Sequence, residues 1–387
     1  MRGRAGSAPC TSVADARRVA LRALLRIETE GAYANLVVPT ALGRAQLSDR
    51  DRNFATDLVY GVTRMRRALD AAIDPHLRAP VEAEVRSALR LGAYQLLFLG
   101  TPAHAAVSAT VGVAPLRARG LANAVLRRVA ESGWPDDLDE ATRLSYPDWI
   151  VEQMVADWGR DDALAALTAM NEPATATRRD DGYVQDEASQ WVAKMIGATP
   201  GQRIADVCAA PGGKATLLAQ GVGSHGVVVA LDRAPARVGL VVENARTTKA
   251  TAVRPLVGDA TTPPLRAGSF DHVLVDAPCS GLGVLRRRPD ARWRVAPADP
   301  EDLASLARSI LLASAALVRE GGTLTFSVCT TTAAETSAVD RWAAESLAGF
   351  EALEPPGAPW RGHERGAVLL PQDAGTDGMY VLRLGRP

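Results

Sequence analysis

Ile204-Ala-Asp206-Val-Cys208-Ala-Ala-Pro-Gly-Gly-Lys214 is the stretch from which the fold of this chain is read. An apolar run, Ile204–Cys208, has the composition of a short buried strand. It passes into a turn of small residues, Cys208, Ala209, Ala210, Pro211, Gly212 and Gly213, and a helix opens at Lys214. Small residues let a ligand approach the backbone, and a helix start offers free N–H groups to an anion. The same grammar repeats downstream. Strands are expected at Val227–Leu231, Val253–Val257, Val273–Asp276 and Leu324–Cys329, with helical stretches between them, one near 301–318. Such alternation predicts an α/β, Rossmann-like domain, a mostly parallel sheet covered by helices on both faces.

Ligands of such sheets lie at the carboxyl ends of the strands. Asp206, Cys208, Asp232, Asp259, Asp276 and Cys329 all fall there. Asp232 can accept both hydroxyls of a ribose, and Asp259 can accept from an adenine amino group. One such acid would mean little, because Asp is common in turns. Acids at three consecutive strand ends after a Gly-rich turn point to an adenosine-type ligand. Gly221-Val-Gly-Ser-His-Gly226 also matches G-x-G-x-x-G. It follows a helix and precedes a strand, the reverse of the dinucleotide fingerprint, so it is expected to be a helix-to-strand turn.

The chain ahead of this domain reads differently. From Ser12, a candidate helix cap, to about residue 130 the apolar residues recur at helical spacing: Ala16, Ala20, Ala23, Leu24 and Ile27, then Phe54, Leu58, Val59 and Val62, then Leu89, Ala93, Leu96 and Leu97, then Leu121, Val125 and Val129. Ser48 and Asp51 form an S-x-x-D helix start. An all-helical domain follows. Residues 1–130 hold 19 Arg and 10 acids, a balance of +9, and the rest of this neutral chain carries −9. A basic half joined to an acidic half hints at nucleic acid, although an Arg-rich solvated helical surface explains it equally well. An acid- and proline-rich linker runs from Gly133 to Pro147, a helical stretch from Trp149 to Met170, and a short polar segment from Asn171 to Gly182.

Other classes are excluded. The start is polar and lacks a signal-peptide core, and the longest apolar run, Ile310–Val318, is too short to span a bilayer. No membrane association and a cytoplasmic setting are expected. The four cysteines, Cys10, Cys208, Cys279 and Cys329, lack zinc-like spacing, so no metal is expected and the thiols should be free. The sequence leaves the oligomeric state open.

Two cysteines end neighbouring strands, in Asp276-Ala-Pro-Cys279-Ser-Gly-Leu-Gly283 and in Ser327-Val-Cys329. Each read alone is a small core residue; two in one cleft weigh evenly between core and chemistry. Methylation at carbon 5 of cytosine gives thiols a use. A thiolate added at carbon 6 makes carbon 5 an enamine-like nucleophile. A protonated Asp276 could then hydrogen-bond ring N3, and a second group must assist elimination. Arg286, Arg287, Arg288, Arg292, Trp293 and Arg294 follow. In isolation such a run is usually a solvated face; beside a site it reads as an RNA contact.

Six ordered motifs across residues 145–387 resemble the Sun family of RNA 5-methylcytosine methyltransferases, relatives of the Nop2 proteins. They are Gly182-Tyr-Val-Gln-Asp186-Glu-Ala-Ser189, Cys208–Lys214, Asp276-Ala-Pro-Cys-Ser-Gly281, Arg288-Pro-Asp-Ala-Arg-Trp293, Ser327-Val-Cys329 and a closing strand at Asp377-Gly-Met-Tyr380. Asp51–Gly61 and Leu121–Arg127 look like the helical RNA-binding domain of NusB. The pairing is similar to RsmB-type 16S ribosomal RNA cytosine methyltransferases. The resemblance implies a NusB-like domain over residues 1–133, a helical linker over 134–181 and a class I methyltransferase domain over 182–387. It implies S-adenosylmethionine held by Cys208, Ala209, Ala210, Pro211, Gly212, Gly213, Lys214, Asp232, Asp259 and Asp276. It further implies ribosomal RNA as partner, Cys329 as nucleophile, Cys279 as the assisting cysteine and Asp276 as a third catalytic residue. The family usually has a small α+β RNA-binding subdomain ahead of Gly182. Here Asn171-Glu-Pro173 runs almost directly to that glycine. After Cys329 the family's Ser is Thr330, and its acid-Glu-Asn run is Ala334-Glu335-Thr336. A non-catalytic, antitermination-like RNA-binding protein is the rival from another class, favoured by the missing subdomain. Methylation of a protein or small molecule on the same fold is a second rival, opposed by the two thiols, which amine or oxygen methylation does not need.

Overall fold

A computed structural model describes residues 15–387; Cys10 and the expected cap Ser12 lie outside them. The chain forms two compact units. One comprises the residues up to Pro147 together with Arg288–Arg294, the other Asp148–Arg287 and Val295–Pro387. The expected linker is therefore divided between them. Among the described residues no helix is long and apolar enough to cross a membrane.

The first unit is helical throughout, from Ala16–Thr29 to Glu140–Leu144. Asp15 caps its first helix, accepting from the Arg17 N–H at 2.9 Å. Ser48 accepts from the Asp51 N–H at 3.2 Å, and its hydroxyl donates to the Asp51 carboxylate at 2.8 Å, so only half of the expected capping box forms. Residues at helical spacing, Ala20 and Leu24, Leu58 and Val62, Leu89 and Ala93, Val125 and Val129, meet in one core. Leu121 is the exception: it is exposed, and Ala122 takes the buried position.

Charge is neutralised inside this unit. Arg90 is buried and donates to Asp70 at 2.7 and 2.6 Å and to Glu28 at 2.8 Å. Part of the segment Arg288–Arg294, expected as an RNA contact, behaves likewise. Arg292 is fully buried, its guanidinium 3.8 Å from the Tyr146 ring centre and donating to the Ser145 carbonyl at 3.1 Å. Trp293 Nε1 donates to the Thr63 carbonyl at 2.7 Å. Arg286, in the second unit, is also buried and donates to the Gly375 carbonyl. Of the run, Arg288 remains exposed, and Arg287 is half-exposed and paired with Asp377. A fork of donors can bind backbone carbonyls as readily as phosphates, and the sequence alone does not say which.

The second unit is built on nine strands: β1 Arg203–Asp206, β2 Val227–Asp232, β3 Val253–Val257, β4 Phe270–Asp276, β5 Val318–Val328, β6 Glu351–Ala352, β7 Arg361–His363, β8 Gly366–Leu369 and β9 Met379–Gly385. The order is β3-β2-β1-β4-β5-β9-β8-β7, with β6 beside β9. Strands β1 to β5 are parallel, and β9 runs antiparallel to β5. The sheet order reverses at β1 and β4, where ligands of such sheets bind. Of the strands beyond β5, the sequence had indicated only the closing one. The expected helical stretch from Trp149 to Met170 is two helices, Asp148–Trp158 and Arg160–Ala169, separated by Gly159 at a φ of +74°. From Ala169 to Glu187 only turns and one bridge, Arg178 to Val184, connect the helices, so no inserted subdomain is present there. Gly223, at φ +64°, ends the helix Gly213–Val222 just before β2, as expected of a turn rather than a cofactor loop.

Gly61 shows how tightly the helices approach. A Cβ there would lie 2.6 Å from Tyr94 Cε2, whose ring is held by its hydroxyl donating to Asp57 Oδ1 at 3.1 Å. Gly61→Ala should gain about 1 kcal/mol of helix propensity but lose about 1–3 kcal/mol to overpacking. Chemical denaturation should therefore show a net loss of stability; a gain would mean that Tyr94 moves aside freely.

Candidate active site

The glycine turn after β1 is anchored from several sides. The buried Arg179 donates to the Gly213 carbonyl at 2.7 Å, to Gln185 Oε1 at 2.8 Å and to Thr216 Oγ1 at 3.1 Å. Arg237 donates to the Ala210 carbonyl at 2.8 Å, and Asn244 to that of Pro211 at 2.8 Å. Gly212 sits at φ +108°, and a Cβ there would be 3.2 Å from the Val241 backbone. Cys208, Ala209 and Ala210 line the inner side of the turn, the two alanines buried. Burial first, and then Asp206, pushes the Cys208 thiol well above its ordinary range, which disfavours its thiolate.

The acids sit at the strand ends. Asp232 is buried, accepts from the Ala234 N–H at 3.1 Å and lies 3.5 Å from the Arg237 guanidinium. Asp259 accepts from the Thr261 N–H at 2.8 Å and hydroxyl at 2.7 Å, which together hold it below the usual carboxylate range. Asp206 is different. It is fully buried, and neither carboxylate oxygen has a well-oriented hydrogen-bond partner. Burial, and then the nearby Asp276, pushes it up to about 7. Such orphaned acceptors beside a glycine turn suit a ligand that carries donors.

Around the next two strand ends the expected residues converge. Strands β4 and β5 pair in parallel with Asp276 opposite Ser327, so the loops that follow leave side by side. Cys279 Sγ and Cys329 Sγ are 3.3 Å apart, each partly accessible. The two sulfurs share one hydrogen bond, which either can donate. That bond first, and the Lys214 ammonium further down, hold Cys329 below the ordinary thiol range despite burial. The same bond, with burial, pushes Cys279 well above it. Lys214 Nζ donates to Asp276 Oδ2 at 2.7 Å, and Ser327 Oγ donates to Asp276 Oδ1 at 2.8 Å. Both oxygens of Asp276 thus act as acceptors. The expectation of Asp276 bonding the ring N3 of a base concerns the substrate complex; here its partners are Lys214 and Ser327.

Glu335, noted in the sequence only as part of a divergent run, ties the two cysteine loops together. Buried, it accepts from the Ser280 N–H at 2.7 Å, the Ser280 hydroxyl at 2.6 Å and the Thr332 hydroxyl at 2.8 Å. Burial raises its carboxyl. Gly283 donates to the Cys329 carbonyl at 3.1 Å, and a Cβ there would lie 2.8 Å from the carbonyl carbon of Gly378. Arg179 was the other omission, hidden in a segment read only as polar.

The charge on Asp206 should be visible in stability. Its folded value of about 7 lies above the ordinary 3.8, so its protonated form favours folding. That contribution is complete below about pH 4 and is lost as pH rises through about 7. Asp206→Asn should therefore stabilise the ligand-free protein at pH 8, by on the order of 4 kcal/mol, and by less at pH 5. Thermal unfolding across this range checks it; an equal effect at both pH values would contradict a buried, titrating Asp206.

Known sequences place this geometry in context. The family described as "NusB family" matches residues 14–131, and "16S rRNA methyltransferase RsmB/F" matches 193–385. A ribosomal RNA small subunit methyltransferase B of Thermus thermophilus is 37% identical over 407 positions, covering 96% of this chain and 97% of its own length. The enzyme of that name from Pseudomonas putida is 30% identical, with 95% and 98% covered. A methyltransferase of Mycobacterium tuberculosis is 36% identical over 445 positions, with 96% of each covered. Against 387 residues, 445 positions mean that the mycobacterial protein has at least 58 residues that this chain lacks. Among solved structures, PH0851 shares the fold, with a TM-score of 0.80 at 20% identity, covering 96% of this chain and 99% of its own. The chain belongs to the RsmB/F family of 16S ribosomal RNA methyltransferases, whose methyl donor is S-adenosylmethionine.

Proposed function

We propose that this protein methylates carbon 5 of a cytosine in 16S ribosomal RNA through a covalent bond between Cys329 and carbon 6 of the base. The observation that carries the reading is the contact of Cys329 with Cys279 at 3.3 Å, beside Lys214 and Asp276. Transfer to nitrogen or oxygen has no use for two thiols in one cleft.

The donor's parts match what the first three strand ends offer. Asp232 suits ribose hydroxyls, Asp259 an adenine amino group, and the turn from Cys208 to Lys214 close backbone contact. The unpartnered oxygens of Asp206 suit the amino group of the donor's amino-acid end. S-adenosylmethionine supplies the electrophilic methyl group.

Cys329 begins as the better thiolate, because Cys279 and Lys214 favour its charge. Its addition to carbon 6 pushes electrons toward carbon 5 and ring N3. Asp276 is an acceptor for the exocyclic amino group, and the Lys214 ammonium offsets the negative charge that builds on the ring. After methylation the carbon 5 proton leaves and the Cys329–carbon 6 bond breaks. Water takes up the carbon 5 proton, the electrons of the Cys329–carbon 6 bond return to sulfur, and the Cys279 S–H, 3.3 Å away, assists by protonating the departing Cys329 thiolate. The short connection between Ala169 and Glu187 is the observation that favours a non-catalytic RNA-binding protein; the complete set of Lys214, Asp276 and both thiols opposes it. The reading places the protein in the cytoplasm, with its RNA.

Two experiments separate these roles. Asp232→Ala should weaken S-adenosylmethionine binding by about 1.5–3 kcal/mol, the cost of a charge-assisted hydrogen bond, in calorimetry; undiminished binding removes Asp232 from the donor site. With a 16S ribosomal RNA transcript and donor, Cys329→Ala should give neither methylation nor an RNA adduct. Cys279→Ala should transfer the methyl group and then stall as an RNA-linked band on a denaturing gel. The opposite pattern would make Cys279 the nucleophile, and intact methylation in both would remove thiol catalysis.

A further inference from the structure

Two sulfurs in contact invite chemistry that methyl transfer does not use. Cys279 and Cys329 lie at the ends of paired parallel strands, on loops held together by Glu335 and by the bond from Gly283 N–H to the Cys329 carbonyl. Their sulfurs stand 3.3 Å apart, so a disulfide would need them to close to about 2 Å. Both residues are in loops rather than in the strands, where the backbone can accommodate a shift of that size. Each is partly accessible, enough for a small oxidant. Lys214 is placed to favour a thiolate on Cys329. Cys208 is also partly accessible, but desolvation and the nearby Asp206, Asp276 and Asp232 disfavour its thiolate.

We propose that Cys329 and Cys279 form a site of reversible oxidation by hydrogen peroxide, closing a disulfide that disables methyl transfer and shields Cys329 from irreversible damage. The Cys329 thiolate attacks the peroxide: an S–O bond forms, the O–O bond breaks, and the leaving oxygen takes up a proton as water. The Cys279 sulfur then attacks the sulfenic sulfur of Cys329. The S–S bond forms, the S–O bond breaks, and the departing hydroxide leaves as water with the Cys279 proton. Two thiols are oxidised and one peroxide is reduced to two waters. An exposed, activated thiol without a resolving neighbour proceeds instead to sulfinic acid, which thiols do not reverse. Cys279 therefore has a second use, beyond elimination, that a single-thiol site would lack. The loss of activity on oxidation rests on the reading of Cys329 as the nucleophile; formation of the bond does not.

The test uses the full chain, fully reduced and then exposed to a small excess of hydrogen peroxide. Intact mass should fall by two hydrogens, and peptide mapping should find Cys279 joined to Cys329. Methyl transfer to the 16S transcript should be lost in step with the bond and return with dithiothreitol. Cys279→Ser, in which the neighbour cannot close a disulfide, should accumulate sulfinic acid at Cys329, which dithiothreitol does not remove. Sulfinic acid at Cys329 in the wild type, without the cross-link, would overturn the proposal. So would a cross-link through Cys208 instead. If the bond forms and reopens in a reduced protein that never methylates the transcript, the oxidation site stands and the methyltransferase reading fails.

Discussion

The register between β4 and β5 governs the site. Parallel pairing of Asp276 with Ser327 sets two loops leaving the sheet at one level, and each loop reaches a cysteine within three residues of its pairing position. A slip of one residue would turn the side chains of a strand to the other face. Ser327 would then no longer donate to Asp276, and Cys329 would be carried away from Cys279. The register is fixed by burial: Val273, Leu274 and Val275 of β4 and Leu324, Phe326 and Val328 of β5 are all inaccessible to water. Glu335 extends the constraint beyond the strands, because its two carboxylate oxygens accept from both loops at once.

Electrostatics are distributed by the same economy. Lys214 has burial working against its charge, yet Asp276 keeps its ammonium above the ordinary range. That ammonium then serves three neighbours, Asp276, Cys329 and Asp206, in a space where the dielectric response of water is weak. Asp206 lacks a well-oriented hydrogen-bond partner, and burial favours its neutral form. A protein alone gains nothing from such a group; a protein that fills the cleft with a donor-bearing ligand does.

Much of this was legible in the residues. Strand–turn–helix grammar located β1 to β5, because buried parallel strands are continuous apolar runs and small residues mark the turns. Period-3.6 spacing located the helical core. The cysteines and acids at strand ends gave most of the site. What was not legible depended on partners distant in sequence. Arg179 lies 34 residues from the Gly213 carbonyl that it holds, and Glu335 lies 55 residues from Ser280. Two of the arginines after Cys279, Arg286 and Arg292, are structural for the same reason. A guanidinium that binds a carbonyl 147 residues away, as Arg292 does with Ser145, looks identical in sequence to one that awaits phosphate. The antiparallel strands β7 and β8 are short and were missed; the burial of β8 depends on β9.

The path of the chain through the two units has an evolutionary consequence. After the loop of Cys279 the backbone leaves one unit, gives Arg288–Arg294 to the other, and returns at Val295. Arg292 lies against Tyr146, and Trp293 is bonded to the Thr63 carbonyl. No single cut in the gene separates the halves. A recombination event at the obvious junction near Pro147 would strand a buried guanidinium and an indole N–H without their acceptors. Such interleaving makes the two halves heritable as one piece: each can drift in sequence, but neither can be traded alone.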